Sequence, residues 1–310
     1  MKIFSGKSNK TLADEIAKNL NVKIGKSTFR QFADGELWVK YEENIRGQDV
    51  FIIQSTHQPA ENILELVLMI DAAVRASADR VTAVIPYYGY ARQDRKDQPR
   101  VPISARAIMD ILASVGAGRV LAMDLHSAQI QGFTHLPFDH LYARKIILKH
   151  LKQFNSSSND TVILAPDVGR APMAQSYAKH LGVGFALIDK RRTEPNKAKV
   201  VHMIGNLKSK KVIILDDMID TGGSMINASE TAIENGAKSI IAVATHGLFS
   251  DNAIENIMKS SIEKVIVANT VEFSKKQYFD KLEIISVAPL FANAISNIHS
   301  GESVSALFNV

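Results

Sequence analysis

Short apolar segments alternate with longer segments of helical periodicity along most of the chain. Short, continuous apolar runs predict buried strands over 50–54, 81–86, 119–123, 161–165, 185–189, 212–215, 239–245, 264–268 and 282–287. Apolar residues at helical spacing predict helices over 62–76, 104–115, 171–181 and 224–234. Ser104 is expected to cap the second of these helices. Strands that alternate with helices predict parallel sheets covered on both faces, which is an α/β fold.

The length of the chain indicates more than one domain. At 310 residues, of which 46% are hydrophobic, it is long enough for two domains with substantial cores. The polar segment 155–160 (NSSSND) is the best candidate for a linker or loop. We expect an N-terminal domain over 1–142 and a C-terminal domain over 143–310, with the last ~20 residues packed on the N-terminal domain.

Composition and charge exclude several classes of protein. The chain has no Cys, which excludes disulfides, a thiol nucleophile and a cysteine zinc site. Its apolar runs are too short to span a membrane and its first residues do not resemble a secretory signal, so we expect a cytoplasmic protein without a membrane partner. The net charge is +5, with basic clusters at 92–100 and 190–192. No nucleic-acid-binding motif accompanies them, whereas basic clusters beside clustered Asp residues fit a polyphosphate ligand with a metal.

The most specific motif is the segment 212–224 (VIILDDMIDTGGS). The glycines allow backbone N–H groups to converge on an anion, and the following helix N-terminus adds positive potential. Asp216 and Asp217 would accept hydrogen bonds from sugar hydroxyls or hold a hydrated divalent cation. Phosphate at one end and a diol at the other describe ribose 5-phosphate. The arrangement resembles the phosphoribosyl-binding loop of the type I phosphoribosyltransferase fold.

A second motif follows the predicted strand 119–123. Asp124 and His126 lie two residues apart, a spacing that can direct both side chains to one cleft, where they can ligate a metal. The stretch from Asp124 to Phe133 (DLHSAQIQGF) resembles the signature of the ribose-phosphate pyrophosphokinase family. Thr134 stands where the family usually has a second Phe, and His135 stands where it often has Asp.

The resemblance extends over essentially the whole chain. The segments 32–36 (FADGE) and 90–95 (YARQDR) are similar to the family's ATP-binding segments, the first of them contributed by a neighbouring subunit. The segment 165–169 (APDVG) is similar to one whose Asp helps to hold magnesium. Arg170 replaces the usual second Gly, and we expect a local perturbation of the turn with no clear consequence for the mechanism. The residues 190–192 (KRR) resemble the start of the catalytic flexible loop, with Glu194 where an Arg is common.

The resemblance implies diphosphoryl transfer from ATP to the anomeric hydroxyl of ribose 5-phosphate, with AMP as the leaving group. The implied catalytic cations are Lys190 and Arg192. The implied ATP-binding residues are Phe32, Asp34, Gly35, Glu36, Arg92 and Gln93. The implied ribose 5-phosphate-binding residues are Arg192, Asp216, Asp217, Asp220, Thr221, Gly222, Gly223 and Ser224. The implied magnesium-binding residues are His126, Asp167 and Asp124. The family also implies a homohexamer activated by inorganic phosphate, whose regulatory site would include Arg46, Ser303 and Ser305.

Three alternatives stay open. A phosphoribosyltransferase would share the segment 212–224 but would not need the N-terminal motifs. A non-catalytic regulatory paralogue would keep the fold, although Lys190, Arg192, His126 and Asp216 are all present. A nucleic-acid-binding protein would lose affinity steeply with salt and would show no turnover.

Overall fold

The computed structural model describes residues 1–154, 159–191 and 200–307. For residues 190, 191, 200 and 201 within these ranges, it describes the backbone only. Its contacts divide the chain into two compact units. The first comprises Met1–Ala143, Thr270–Glu272 and Ser286–Val310, and the second comprises Arg144–Asn269 and Phe273–Ile285. The C-terminal segment therefore belongs to the first unit, and the chain passes between the units more than once.

In the described residues, the first unit is built on a parallel sheet of five strands in the order β1-β4-β5-β6-β7. These strands are β1 (Lys2–Ser5), β4 (Asp49–Ile53), β5 (Arg80–Ile85), β6 (Arg119–Met123) and β7 (Phe138–Leu141). The helices of this unit are α1 (Lys10–Asn19), α2 (Glu61–Arg75), α3 (Ser104–Ser114) and α8 (Ala288–Ser300). The strands β2 (Ser27–Gln31) and β3 (Leu37–Tyr41) form a separate antiparallel hairpin.

Both faces of this sheet are covered. Val50 and Ile52 of β4 pack in one core with residues of α2 and α3. The intervening Phe51 is also fully buried, as is Val84 of β5. Because successive side chains of a strand point to opposite faces, burial of both sets means that helices cover both sides. The prediction of a parallel sheet buried between helices is confirmed for this unit.

A charged cluster fixes the end of α8 to the first unit. Arg80 donates from Nε to Asp49 Oδ1 over 2.9 Å and from Nη2 to the carbonyl of Ile298 over 3.0 Å. His299 Nδ1 lies 2.8 Å from Asp49 Oδ2. Burial raises the pKa of Asp49, but the hydrogen bonds from Arg80 and His299 outweigh that effect and hold the pKa below its usual range. The two ends of this contact are far apart in sequence, so it ties the C-terminal segment to the sheet.

The second unit contains, in the described residues, a sheet of seven strands in the order β10-β9-β8-β11-β12-β13-β14. The strands are β8 (Thr161–Ala165), β9 (Gly184–Arg191), β10 (Val200–Ile204), β11 (Lys211–Ile219), β12 (Ser239–Gly247), β13 (Lys264–Ala268) and β14 (Leu282–Ile285). All neighbouring pairs are parallel except β9 and β10. The helices are α4 (Arg144–Leu151), α5 (Ala171–Leu181), α6 (Gly223–Glu234) and α7 (Ala253–Lys259).

The core of the second unit follows the same pattern. Alternate residues of β8 and β11, such as Leu164 and Ile214, pack in one core with α6 and α7. The intervening residues Ile163 and Ile213 are buried as well. The fold is therefore α/β in both units, with mainly parallel sheets between helices, as the sequence predicts.

The cap of α3, the end of β11 and the predicted linker differ from the local expectations or lie partly outside the described residues. Ser104 is the first residue of α3 rather than its cap; the cap position is Ile103, and the Ser104 hydroxyl donates to Gln93 Oε1 instead. The strand β11 does not stop before the aspartates, because its pairing with β12 continues to Ile219 opposite Gly247. Of the predicted linker, residues 155–158 lie outside the described residues, and Asn159 and Asp160 form a turn before β8 within the second unit.

None of the helices in the described ranges has the length and apolar character that crossing a bilayer requires.

Replacing Arg80 by Met is expected to destabilise the first unit by about 1–2 kcal/mol, because it leaves the largely buried Asp49 carboxylate with one partner fewer. Chemical denaturation of the two proteins measures the difference. Arg75→Met is the matched control, since its ion pair with Asp71 is exposed and its loss should leave the unfolding curve nearly unchanged. Equal effects of the two substitutions would contradict a special role for the Arg80 cluster.

Candidate functional site

In the first unit, hydrogen bonds join the loops that follow β4 and β5 at the carboxyl ends of these strands. Thr56 donates its N–H to the carbonyl of Tyr87 over 2.9 Å, and its hydroxyl accepts the N–H of Gly89 over 2.8 Å. A Cβ at Gly89 would lie 2.1 Å from the carbonyl oxygen of Thr56. Only glycine therefore allows this close approach, which sets the path of the chain into the segment 90–95.

The two residues expected to contact ATP in this segment, Arg92 and Gln93, have exposed side chains. Gln93 is held at both backbone groups: its N–H donates to Tyr90 over 3.0 Å and its carbonyl accepts from Ala105 over 3.2 Å. The buried Tyr88 hydroxyl donates to the carbonyl of Ala105 over 2.8 Å, and burial raises its pKa. The structure thus places Arg92 and Gln93 on a fixed turn beside the first turn of α3.

Asp124 and His126 follow β6 in a turn that hydrogen bonds to Ala143 and to the side chain of His140 hold in place. Asp124 has a positive φ of 38° and accepts the N–H of Ala143 at Oδ2 over 3.0 Å. The N–H of Leu125 donates to Nε2 of His140 over 2.9 Å. On the other side of the ring, Nδ1 lies 3.3 Å from Gln131 Nε2. His140, which the sequence analysis did not single out, therefore positions the segment between Asp124 and His126.

The two departures that follow this motif are Thr134 and His135. The Thr134 hydroxyl accepts the N–H of Leu136 over 3.1 Å, which stabilises the turn before β7. The side chain of His135 is exposed.

The segment 32–36 is the tight turn between β2 and β3. Gly35 has a φ of 94° and donates its N–H to the carbonyl of Phe32 over 2.9 Å, while Asp34 Oδ1 accepts the N–H of Glu36 over 3.1 Å. The ring of Phe32 is 55% exposed. An aromatic ring held in the open by a closed turn is available to a partner, and the expected ATP contact in a neighbouring subunit stays a prediction.

In the second unit, the turn after β8 meets the end of β11. Asp167 accepts the N–H of Arg170 at Oδ1 over 3.1 Å. The Arg170 guanidinium then donates from Nε to Asp216 Oδ1 over 2.8 Å and from Nη2 to Asp217 Oδ1 over 3.0 Å. Arg170 has a φ of −91°, a conformation that any residue adopts, so its backbone is not strained, and the expected perturbation of the turn stays a prediction. Its side chain bridges the two aspartates.

The pKa of the Asp216 carboxyl is well above that of an ordinary aspartate. Burial raises its pKa to about 8, and the hydrogen bond and negative charge of Asp217 act in the same direction, while Arg170 opposes them. Asp217 is also buried. The two carboxyls therefore form one acceptor pair in contact with the Arg170 guanidinium.

The loop 220–224 leads from β11 into α6. Gly222 takes a φ of 78° at the N-cap of the helix, a conformation that favours glycine, and the side chains of Thr221 and Ser224 are exposed. In the described residues, no side chain caps this helix end. Backbone N–H groups of the first turn, which have no partner within the helix, lie beside two hydroxyl groups. Such a site suits a phosphate group.

Lys190 is in β9, where its backbone pairs with Val201 of β10. Arg192 and Glu194 lie outside the described residues, as does the rest of the expected catalytic loop up to residue 199. Their roles stay predictions.

The three residues expected to bind magnesium are divided between the two units. Asp124 and His126 belong to the first unit and Asp167 to the second. Within the described ranges, no three His, Cys, Asp or Glu side chains form a cluster that could hold a metal ion. The carboxylate oxygens of Asp124 in the first unit and of Asp167 in the second are each of the kind that Mg²⁺ takes as ligands.

The expected regulatory residues all belong to the first unit. The side chains of Arg46, Ser303 and Ser305 are exposed, and the hydroxyl groups of the two serines lie 2.7 Å apart. Their role stays a prediction.

Comparison with known proteins agrees with this picture. Residues 1–116 match the family model for the N-terminal domain of ribose phosphate pyrophosphokinase, and residues 192–309 match the phosphoribosyl synthetase-associated domain. The chain is 48% identical to the ribose-phosphate pyrophosphokinase of Chlorobaculum tepidum, with 100% of this chain and 95% of that protein aligned. It is 45% identical to that of Aquifex aeolicus, with 99% of each covered.

A solved structure is similar over nearly the same length. The phosphoribosylpyrophosphate synthetase from Mycobacterium smegmatis superposes with a TM-score of 0.91 at 40% identity, covering 97% of this chain and 99% of that one. The fold and the strand-end motifs are thus those of an α/β enzyme of phosphoribosyl chemistry. The chain belongs to the ribose-phosphate pyrophosphokinase family. The family and the enzyme class expected from the sequence are confirmed.

The pKa of Asp216 makes the stability of the second unit depend on pH. A carboxyl whose pKa is raised by folding holds its proton more tightly in the folded protein, so this stabilisation is lost as the pH rises through about 8. Between pH 7 and pH 9 we expect the free energy of unfolding to fall by on the order of 1 kcal/mol, which corresponds to about 2–4 °C in melting temperature. Asp216→Asn should flatten that part of the pH profile. The exposed Asp251, changed to Asn, is the control, and parallel profiles for wild type and Asp216→Asn would disprove the assignment.

Proposed function

We propose that this chain transfers the diphosphoryl group of ATP to the anomeric hydroxyl of ribose 5-phosphate. A bond forms between the sugar oxygen and the β-phosphorus, the bond from the β-phosphorus to the oxygen bridging the α-phosphorus breaks, and AMP leaves with that oxygen. The hydroxyl proton is released. The full-length relatives named ribose-phosphate pyrophosphokinase support the reaction. The observation in the structure that carries it is the carboxylate pair of β11 followed by the loop 220–224.

The loop 220–224 would hold the 5-phosphate of the sugar. The N-terminus of α6 supplies backbone N–H donors and the positive end of the helix dipole. Thr221 and Ser224 add hydroxyl donors, and the left-handed Gly222 lets the backbone turn around the phosphate. Asp220 lies at the entrance of this loop, and its carbonyl accepts the N–H of Ser250 over 3.0 Å, which anchors the loop.

Asp216 and Asp217 would accept hydrogen bonds from the ribose hydroxyls. Carboxylates repel a phosphate but accept strongly from neutral hydroxyl groups, so they suit the other end of the same ligand. The few residues between the pair and α6 place the two kinds of group at opposite ends of one short segment. A phosphorylated sugar has the same arrangement of charge and hydroxyls.

ATP would be bound by Arg92 and Gln93 and by the turn 32–36 of a neighbouring subunit. The Arg92 guanidinium has several N–H donors in a plane that suits phosphate oxygens. The Gln93 amide can donate to a nucleotide and accept from it. Lys190 and Arg192 would stabilise the negative charge that accumulates during transfer. These assignments are supported by the family resemblance of each motif.

Magnesium would be held by His126, Asp124 and Asp167 together with substrate phosphates. When bound, it supplies positive charge to the phosphate oxygens. The chain's own contribution is the orientation of these side chains: His140 fixes the backbone next to His126, and the Asp167 carboxylate is set by the N–H of Arg170.

Assembly, location and regulation are proposals on the resemblance alone. We expect a cytoplasmic homohexamer that inorganic phosphate activates through Arg46, Ser303 and Ser305. The exposed Phe32 is consistent with a contact between subunits.

Phosphorus NMR of the protein with ATP, Mg²⁺ and ribose 5-phosphate tests the reaction. AMP together with a new sugar-linked diphosphate, and no ADP, is the expected result. Consumption of added phosphoribosyl pyrophosphate in the presence of a base would indicate a phosphoribosyltransferase instead. Absence of turnover with phosphate present and the oligomer intact would indicate a regulatory paralogue.

Lys190→Ala is expected to lower kcat by about 10²-fold or more, because one preorganised cation for the transferring group is lost. The KM for ribose 5-phosphate should change little. Steady-state kinetics measure both. Lys179→Ala is the control, since Lys179 is an exposed lysine in the last turn of α5. An unchanged kcat would remove Lys190 from the mechanism.

A further inference from the structure

Arg170 is in contact with both carboxylates proposed to bind the sugar, although its sequence position gave it no role. Its Nε and Nη2 atoms lie 2.8 Å and 3.0 Å from Asp216 and Asp217. The side chains of the three residues are 18%, 11% and 6% exposed. The group is therefore a largely buried bridge rather than a surface ion pair.

The topology of the sheet explains why Arg170 reaches this place. The strand β8 pairs with β11 up to Leu164 opposite Ile214, and β11 continues beyond that point. The chain that leaves β8 turns at Asp167, whose carboxylate accepts the N–H of Arg170. The backbone of Arg170 is thus anchored beside the part of β11 that β8 no longer covers.

The aspartate pair needs such a partner if it is to be an acceptor of defined shape. Two neighbouring carboxylates with little exposure repel each other, and burial makes their charge costly. A cation that contacts both reduces the repulsion and fixes their separation. A guanidinium does this with donors in a rigid fork, whereas an ammonium group is a point charge on a flexible stem. The Asp217 N–H also donates over 2.9 Å to Asp216 Oδ1, the oxygen that Arg170 Nε contacts.

We propose that Arg170 is a positioning residue that sets the affinity for ribose 5-phosphate and the discrimination between this sugar and analogues that lack a ring hydroxyl. The proposal rests on the assignment of Asp216 and Asp217 to the sugar hydroxyls. It goes beyond that assignment because it gives Arg170 a role through its contacts with the two carboxyls. A site built to pair with a hydroxyl discriminates against an analogue without it, because a buried acceptor is left unpaired.

The test compares Arg170→Met and Arg170→Lys with the wild type. Calorimetric titration without ATP gives the Kd for ribose 5-phosphate and for 2-deoxyribose 5-phosphate, so the readout does not need turnover. Kinetics give the KM for ATP. Arg144→Met is the matched control, because Arg144 is a partly buried arginine of the same unit whose Nη1 donates to the hydroxyl of Ser176 over 2.9 Å.

Arg170→Met should raise the Kd for ribose 5-phosphate about tenfold or more and should bring the two sugars closer in affinity, because the hydroxyl acceptors lose their fixed geometry. The KM for ATP should change less than about twofold, since the side-chain contacts that the substitution removes are to the sugar-binding pair Asp216 and Asp217, and the backbone N–H of residue 170 is kept. Arg170→Lys should fall between Arg170→Met and wild type. It keeps the charge, so it also serves as the variant that tests the proposal if the Met protein does not fold.

Several results would overturn the proposal. Tighter binding of ribose 5-phosphate by Arg170→Met would mean that Arg170 competes with the sugar. Equal losses of affinity for both sugars, or an equal effect of Arg144→Met, would mean that the effect is not specific. Equal affinity of the wild type for the two sugars would leave no discrimination for Arg170 to set. A wild type that binds ribose 5-phosphate selectively but forms no AMP would contradict the proposed function alone. The binding ratios of the variants would then still decide the role of Arg170.

A double-mutant cycle separates positioning from a general structural effect. If Arg170 acts through the carboxylate pair, Arg170→Met should cost much less sugar affinity in a protein that already carries Asp217→Asn. Additive losses would mean that Arg170 acts by another route and would overturn the proposal.

Discussion

The central strands of both units are buried on both faces, and this constraint determines where the chemistry lies. Every residue of β8 is buried, and β4 is buried from Val50 to Ile53. An uncompensated charge within such a strand would cost several kcal/mol, so polar side chains collect where the strands end. Asp124, Asp167 and the loop after β11 all follow this rule.

Asp217 departs from the rule, because it is buried within β11 rather than beyond it. Its carboxylate is tolerated there because the Arg170 guanidinium contacts both carboxyls of the pair. The same balance links the stability of this unit to its proposed chemistry. The groups that accept sugar hydroxyls are also the groups whose burial must be compensated.

The backbone at these strand ends is held by specific contacts. Gly89 approaches the carbonyl of Thr56 too closely for any side chain, and Gly222 turns with a positive φ at the start of α6. The His140 ring fixes the backbone beside His126. Turns that are fixed in this way suit a reaction that depends on alignment. The conformational entropy of these residues is lost when the protein folds, so it does not add to the barrier for diphosphoryl transfer.

The sequence alone determined the α/β fold, most of the strands and the segment 212–224, because apolar periodicity and glycine turns act over short distances along the chain. It also determined the family, through motifs that are contiguous. Only the tertiary structure decided what Arg170 and His140 do, and why Ser104 pairs with Gln93 rather than capping α3. The reason is physical: these contacts join side chains from different loops, and their partners are set by how the strands are ordered and where each pairing stops, which no local pattern encodes.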